Sequence, residues 1–575
     1  MNHLLRAALV LTAAVAPGAC TDRAGQATPP DEGRTSPTAA AAPRPVRALQ
    51  PILVPSLDQV VRLWIAERAR LDPFWATRAG VHDHDDRLTR FDDPSWLERE
   101  RLARRTLADV EGLLARDLPA PEATDVRLLH SQLLTEVHEF ERHDARRESP
   151  GMPLSAIAAV NDLLVRDFAP PAQRAFLAVA RLRELPAVVA DARAALGRPP
   201  RLWTEMAIEE LDGAQQFLDS VTELAGPTPG LADALAGARA ALVDYRTWLQ
   251  AEVLPRSDGS YAIGRAEFDW RLRHAHLLDL DADRLLALGR EQFELTLRML
   301  EHTAQAIDPE RDWQEQLAEM MEQHPTAEGL LDAYRSEAAR ARAWLVDQDI
   351  VGLPQESLQI RETPAFMRTT IPFAAYDSPA PLDASRLGTF WVTPDPQAHI
   401  LSDIPGTTWH EAYPGHHTQL VYAKDNPSLV RRLNESPLLS EGWGLYCEEL
   451  AHETGYYDDP RERLMQLNWR LQRAARVILD TSIHAFGMSH AEAVDFLVQR
   501  VGLSRPTAVA SVNAYTQQPT YFSTYLLGML EIVRLRDACR ARLGTQFTLR
   551  EFHERLLRCG NIPPALIEAE LAEWR

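Results

Sequence analysis

The sequence predicts a mainly α-helical protein: one large helical domain with a deep cleft and a small β element near its site. Three observations carry this. From about residue 55 onward, apolar residues recur at three- and four-residue spacing, as in "LDQVVRLWIAERARL" and "QRAFLAVARLRELPAVVADARAALG", the period of a helix with one buried stripe. Pro and Gly punctuate between these runs, in "LGRPPRLW", "LAGPTPGLADAL" and "LPRSDGSY", where helices stop and turn. One departure, "PAFMRTTIPFAAYDSPAPLDASRLGTFWVTPDP", mixes Pro and Gly with alternating apolar residues and reads as loops with a short strand pair.

At the N-terminus, "MNHLLRAALVLTAAVAPGACTD" has a basic Arg6, an apolar run and a small-residue end at Cys20. Residues 1–19 therefore read as a signal peptide, too short for an ordinary membrane span. The ending "PGAC" resembles a bacterial lipoprotein signal, in which Cys20 becomes the lipidated N-terminus and the only membrane contact. It departs from that pattern in having Pro17 where Leu, Val or Ile is usual; the alternative is plain cleavage and release into the periplasm. Residues 20–50, rich in Pro, Ala and Thr, read as a disordered tether. Residues 51–575 form the helical domain, with an active-site core at about 360–545.

The chain of 575 residues has a formal net charge of −21 and no basic stripe. A polyanion would be repelled by that field, which excludes nucleic acid as a partner. Besides Cys20 there are Cys447, Cys539 and Cys559, with no CxxC, so no thiolate zinc site is indicated. Cys539 and Cys559 either pair or, with Cys447, act as small buried hydrophobes. Nothing in the sequence sets the oligomeric state.

The dipeptide His-Glu occurs four times, at His138, His410, His452 and His553, and alone says little. His143 follows His138 by a spacing that separates them by about 140° on a helix, so the two read as surface or cap residues. "HDHDD" at 82–86 reads as a turn or helix start.

"WHEAYPGHH" is different. Zinc hydrolases commonly place two His one helical turn apart with a Glu base beside them, but here Pro414 stands where the second His is usual. In an unbroken helix His416 and His417 would lie about 9 and 10 Å along the axis from His410, too far to share an ion bound at about 2.1 Å. Pro414 has no N–H for the His410 carbonyl and its ring clashes with it, and Gly415 permits conformations closed to other residues. The Pro-Gly insertion thus bends the chain where this longer spacing needs a bend. In "SEGWGLYCEEL", Glu441 sits one helix and a turn beyond His416 and offers a third ligand. That leaves a fourth position for water, as catalytic zinc requires. Glu448, two turns on and on the same face, could orient a ligand or be an ordinary helix carboxylate.

"HEAYPGHH" and "SEGWGLYCEE", with "RAARVILDTSIH" and "PTYFSTYLLG", resemble the bacterial domain-of-unknown-function family 885. The resemblance runs from roughly residue 55 to the C-terminus. It implies a zincin-like fold of gluzincin type, similar in plan to angiotensin-converting enzyme, thimet-type oligopeptidases and thermostable carboxypeptidases. It further implies Zn2+ held by His410, His416 and Glu441, with His417 as the alternative second His, and Glu411 as base. It also picks Tyr525, three residues before Gly528, over Tyr515 and Tyr521 as the donor that stabilises the oxyanion. Ala514 and Tyr521 depart from the family's usual Arg and Gln.

On "NWRLQRAARVILDTSIHAFG", Asp480 and His484 share a helix face. His484 either donates to a substrate oxygen or forms a buried link with Asp480. Arg473 or Arg476 could grip a peptide's terminal carboxylate or be solvated. "GTFWVTP" could border the cleft and pair with an extended peptide.

The expectation is an exported zinc-dependent metallopeptidase acting on short peptides, of carboxypeptidase, dipeptidase or oligopeptidase type. The alternatives are a zinc amidase or esterase on another substrate, or a non-catalytic helical binding lipoprotein, against which the presence of Glu411 speaks.

Overall fold

The computed structural model describes residues 55–574 apart from 356–357, 365–366 and 369–370. The signal segment, Cys20 and the tether lie outside the described residues. The chain is mainly helical with a small three-stranded sheet. Among the described residues no helix is long and apolar enough to cross a membrane.

Helix starts follow local chemistry. In α1 (Leu57–Leu71) the Ser56 hydroxyl accepts from the Gln59 N–H while the Gln59 side chain accepts from the Ser56 N–H, a reciprocal cap that satisfies two orphan donors. α2 (Ala120–Arg142) follows. Then α3 (Pro171–Ala195), α4 (Arg201–Ala225) and α5 (Leu231–Trp248) bury their own apolar cluster around Leu182, Leu185, Leu218, Leu242 and Tyr245. A larger cluster begins at α1 and runs to the C-terminal helices. It includes α6 (Arg265–His274) and α7 (Ala282–Ile307), and it carries the site.

The sheet has β1 (Gln359–Glu362), β2 (Ala374–Asp377) and β3 (Thr389–Val392) in the order β1-β3-β2. β1 runs parallel to β3 and β2 antiparallel, so there are three strands where the sequence suggests a pair. The expectation that "GTFWVTP" pairs with an extended peptide is corrected here. β3 is the central strand, and both of its edges already bond to neighbours.

Five further helices build the site: α8 (Ile404–Glu411), α9 (His416–Lys424), α10 (Pro437–Glu453), α11 (Pro460–Phe486) and α12 (Thr524–Leu543). α11 has Asp459 at its N-cap, Pro460 in its first turn and Gly487 in the left-handed region at its end, the expected asymmetry of a strongly delimited helix. From Arg463 to His484 all but one residue is buried, so α11 is the central helix. α10 and α12 cross at two glycines. A Cβ on Gly528 would stand 1.8 Å from the Leu438 carbonyl oxygen, and one on Gly442 2.4 Å from the Gly528 Cα. Backbones this close leave no room for any side chain. Cys447, Cys539 and Cys559 are all free and buried, which decides against the Cys539–Cys559 pair.

Candidate metal centre

The chain does break inside "HEAYPGHH". α8 ends at Glu411, Ala412 leaves the helical region, and α9 restarts at His416 with Gly415 as its N-cap. The Tyr413–Pro414 peptide bond is cis. A Cβ on Gly415 would fall 1.9 Å from the His410 carbonyl oxygen and 2.3 Å from that of Trp409, so only glycine fits. Trp443 on α10 donates its indole N–H to the Pro414 carbonyl at 2.9 Å, which locks the break to the next helix.

The break brings His410 and His416 together, ring centroids 4.7 Å apart and nearly perpendicular. Glu441 Oε2 lies 3.9 Å from His410 Nε2 and 3.6 Å from His416 Nε2. Ligands about 2.1 Å from a tetrahedral zinc stand about 3.4 Å from one another, so Glu441 Oε2 lies close to such an edge from each histidine. All three residues are buried, and His410 Nε2 makes no hydrogen bond. A buried imidazole nitrogen without a partner is costly in a protein interior; a cation would satisfy it. The residues present fit zinc. Glu411 also lies beside the two histidines, with one ligand atom each of His410, Glu411 and His416 within 4.8 Å of one another.

Supporting contacts aim each ligand. His410 Nδ1 bonds Glu448 Oε1 at 2.8 Å, the carboxylate partner that fixes a ligand's tautomer. Burial opposes the protonated form of His410, but Glu448 and Glu411 outweigh it and hold its pKa above the ordinary value. His416 is pushed down by burial, which favours the neutral imidazole a metal needs. Gly444 makes space for the His410 ring, since a Cβ there would stand 2.6 Å from Cε1. Within "SEGWGLYCE", then, Glu441 faces the histidines, Gly442 admits α12, Trp443 pins the break, Gly444 clears the ring and Glu448 orients it.

The profile of a family described as bacterial proteins of unknown function, DUF885, matches residues 73–571. The chain belongs to DUF885. Two solved structures are similar to this DUF885 chain. One is a candidate lipoprotein of unknown function from Shewanella oneidensis, 23% identical with a TM-score of 0.76, the match covering 90% of this chain and 100% of that one. The other is a candidate lipoprotein from Colwellia psychrerythraea, 20% identical with a TM-score of 0.78, covering 90% and 98%. At these identities the likeness shows the fold alone. A comparison with curated proteins finds no match.

The remaining predicted residues fall into place unevenly. Glu411 accepts the Tyr376 N–H at 3.0 Å through Oε2, so β2 positions the expected base. His417 turns from the histidine pair: its Nδ1 meets the Tyr376 hydroxyl at 3.1 Å. Tyr525 is fully buried, its hydroxyl 3.5 Å from that of Tyr521, which donates to Glu441 Oε1 at 3.1 Å. Tyr521, a departure from the family pattern, thus bonds the candidate ligand Glu441 directly. Burial raises the Tyr525 pKa well above its ordinary value and keeps it a donor.

His484 is not brought to the site, which corrects its expected catalytic role. Its Nε2 bonds the Tyr515 carbonyl at 2.9 Å. Asp480, 4.0 Å from it, accepts instead from the Thr520 N–H at 3.0 Å and the Ser523 hydroxyl at 2.6 Å. A shared helix face puts two residues side by side without deciding what packs against them, and here both hold main chain near the start of α12. His138 and His143 do meet, because α2 ends at Arg142 and His143 leaves it as an extended C-cap. Both face Glu267, at 2.8 and 3.2 Å, which Arg271 also approaches at 2.9 Å, so one carboxylate gathers the three side chains. "HDHDD" forms turns, with Asp85 buried against His82 and Thr77.

A cavity partly open to solvent is lined by His410, Glu411, Glu448, Trp469, Arg473 and Arg476 among others. Asp403 on its wall is pushed up to about 6 by burial, although the Trp469 indole N–H donates to it at 2.6 Å.

Proposed function

We propose that this chain is an exported zinc-dependent metallopeptidase of zincin type that hydrolyses short peptides in the cavity beside α11. The observation that carries the reading is the approach of Glu441 Oε2 to His416 Nε2 and His410 Nε2, at 3.6 and 3.9 Å, with a Glu411 carboxylate oxygen beside the two histidines. Zinc, when bound, supplies Lewis acidity toward a carbonyl and lowers the pKa of water. The protein's own residues do the rest. Glu411, steadied by the Tyr376 N–H, takes a proton from the attacking water and returns it to the leaving amine. Glu448 holds His410 in the tautomer that presents Nε2. Tyr525 supplies a phenol donor for the oxyanion, and Tyr521 donates to the ligand Glu441. Arg473, Arg476 and Trp469 wall the substrate side.

The signal segment supports export, and the two similar structures described as candidate lipoproteins support a lipid on Cys20. The test is metal analysis of the purified protein followed by a broad peptide library read by mass spectrometry. One zinc per chain and cleavage of short peptides are expected. Glu411→Gln should retain the zinc and lose about 10²- to 10⁴-fold in turnover. A chain that takes up no zinc and cleaves nothing would end this reading.

A further inference from the structure

Two arginines of α11 extend that reading and rest on it, for they concern which end of a peptide the site takes. Arg463 and Arg470, on the same helix, both hold Glu449 at 3.0 Å. Other buried arginines are paired as well: Arg431 with Asp125 and Glu570, Arg536 with Glu453. Arg473 and Arg476 break this pattern. They are only 7% and 6% exposed, yet Nε and Nη1 of each make no hydrogen bond. The carboxylate nearest Arg473 is Glu448 at 3.6 Å, beyond hydrogen-bond distance and already engaged by His410. Arg476 makes no ion pair among the described residues; its side chain hydrogen-bonds the neutral Tyr515, and its guanidinium stands 4.8 Å over the Tyr525 ring and 5.8 Å over that of Phe522. A buried guanidinium with unbonded N–H groups and no anion within hydrogen-bond distance is disfavoured unless something else brings the anion.

Both side chains line the same cavity as His410 and Glu411. An anion held there therefore belongs to a molecule that also reaches the candidate metal centre. The guanidinium fork matches a carboxylate in bidentate fashion, and every unblocked peptide carries one at its end. We propose that Arg476, assisted by Arg473, binds the C-terminal carboxylate of the substrate, so that cleavage occurs at the carboxyl end. Trp469, whose ring lies 5.0 Å from the Arg473 guanidinium, forms the wall that keeps that end in place.

The experiment compares N-acetylated tripeptides with a free C-terminal carboxylate, the same peptides as C-terminal amides, and amides whose last residue is Glu. Rates are measured with the zinc-loaded protein, and binding to its Glu411→Gln variant by calorimetry. The free acids should exceed both amide sets at least tenfold in kcat/KM, mainly through KM. Arg476→Gln should collapse that ratio toward one, and Arg476→Lys should keep part of it. If Arg476→Gln does not fold, the wild-type ratio and Arg476→Lys decide. Acids and amides cleaved equally would overturn the carboxylate site and leave the peptidase reading standing. Glu-terminated amides cleaved as well as free acids would overturn it in favour of an acidic side chain. No cleavage, but binding of acid over amide, would keep the carboxylate site and end the peptidase reading; neither cleavage nor binding would overturn both.

Discussion

Replacing Gly444 with Ala tests whether α10 shapes the metal centre. A Cβ at this position would lie 2.6, 2.7 and 2.8 Å from Cε1, Nε2 and Nδ1 of His410. Ordinary van der Waals contact begins at 3.4 Å, so ring and helix must separate by about 0.8 Å. Zinc sites hold their ligand distances within about 0.2 Å, a quarter of that shift. The ring cannot retreat freely because Nδ1 is tied to Glu448 at 2.8 Å. Nor can α10, which meets the α12 backbone at Gly442 and Gly528. Disturbing a residue that merely supports a ligand costs 10- to 100-fold in affinity; displacing the ligand itself should cost at least about 100-fold, or about 2.7 kcal/mol at 1.36 kcal/mol per tenfold. The metal-free fold should change far less. Ala favours a helix over Gly by about 1 kcal/mol, which offsets part of an overpacking cost of about 1–3 kcal/mol. The assay is a zinc competition titration against a chromophoric chelator, with melting curves taken with and without zinc. Wild-type zinc affinity in a folded Gly444→Ala protein would refute the placement of Gly444 against a metal ligand.

Three further outcomes are expected. Glu448→Gln removes the anionic partner of His410 Nδ1 and should weaken zinc about 10- to 100-fold while leaving circular dichroism unchanged, as the same titration would show. Gly528→Ala places a Cβ 1.8 Å from the Leu438 carbonyl oxygen, an overlap of backbone that no rotamer relieves. Its loss should reach or exceed the upper end of the usual 1–3 kcal/mol or so for overpacking, measured by denaturant titration. Burial raises the Asp480 carboxyl to about 7, above its unfolded value, so the folded state holds its proton more tightly. Its contribution to stability is complete below about pH 4 and is lost as pH rises through about 7, up to about 4 kcal/mol for three pKa units. Asp480→Asn should flatten that part of the stability-versus-pH curve, and an unchanged slope would count against it.

The parts of the site that depend on neighbours along the chain were legible in the sequence. Pro414 and Gly415 act through sterics within a few residues, and that is enough to require a break between His410 and His416. Glu441 and Glu448 share a face by helical spacing alone, which made one a candidate ligand and the other a candidate support. The same reasoning misled where the element did not continue or its surroundings were unknown. Helical spacing alone keeps His138 and His143 apart, but α2 ends between them. Asp480 and His484 do stand side by side, yet their face packs against main chain from 515 to 523 and away from the cavity. The segment before the motif yielded two strands to sequence reading, and the third, β1, came from outside it.

By itself, then, the sequence determined a mainly helical chain, its family, the bend in the histidine motif and the residue types able to hold a cation. Those follow from backbone sterics and side-chain periodicity, which act over one or two turns. Only the tertiary structure decided that Trp443 anchors the bend, that Gly442 and Gly528 let two backbones touch, that Tyr521 reaches Glu441, and that Arg473 and Arg476 are buried with their Nε and Nη1 atoms unbonded. Each of these depends on which distant atoms share a small dry volume, and burial, the presence of an acceptor and the space for a Cβ exist only once the helices have packed.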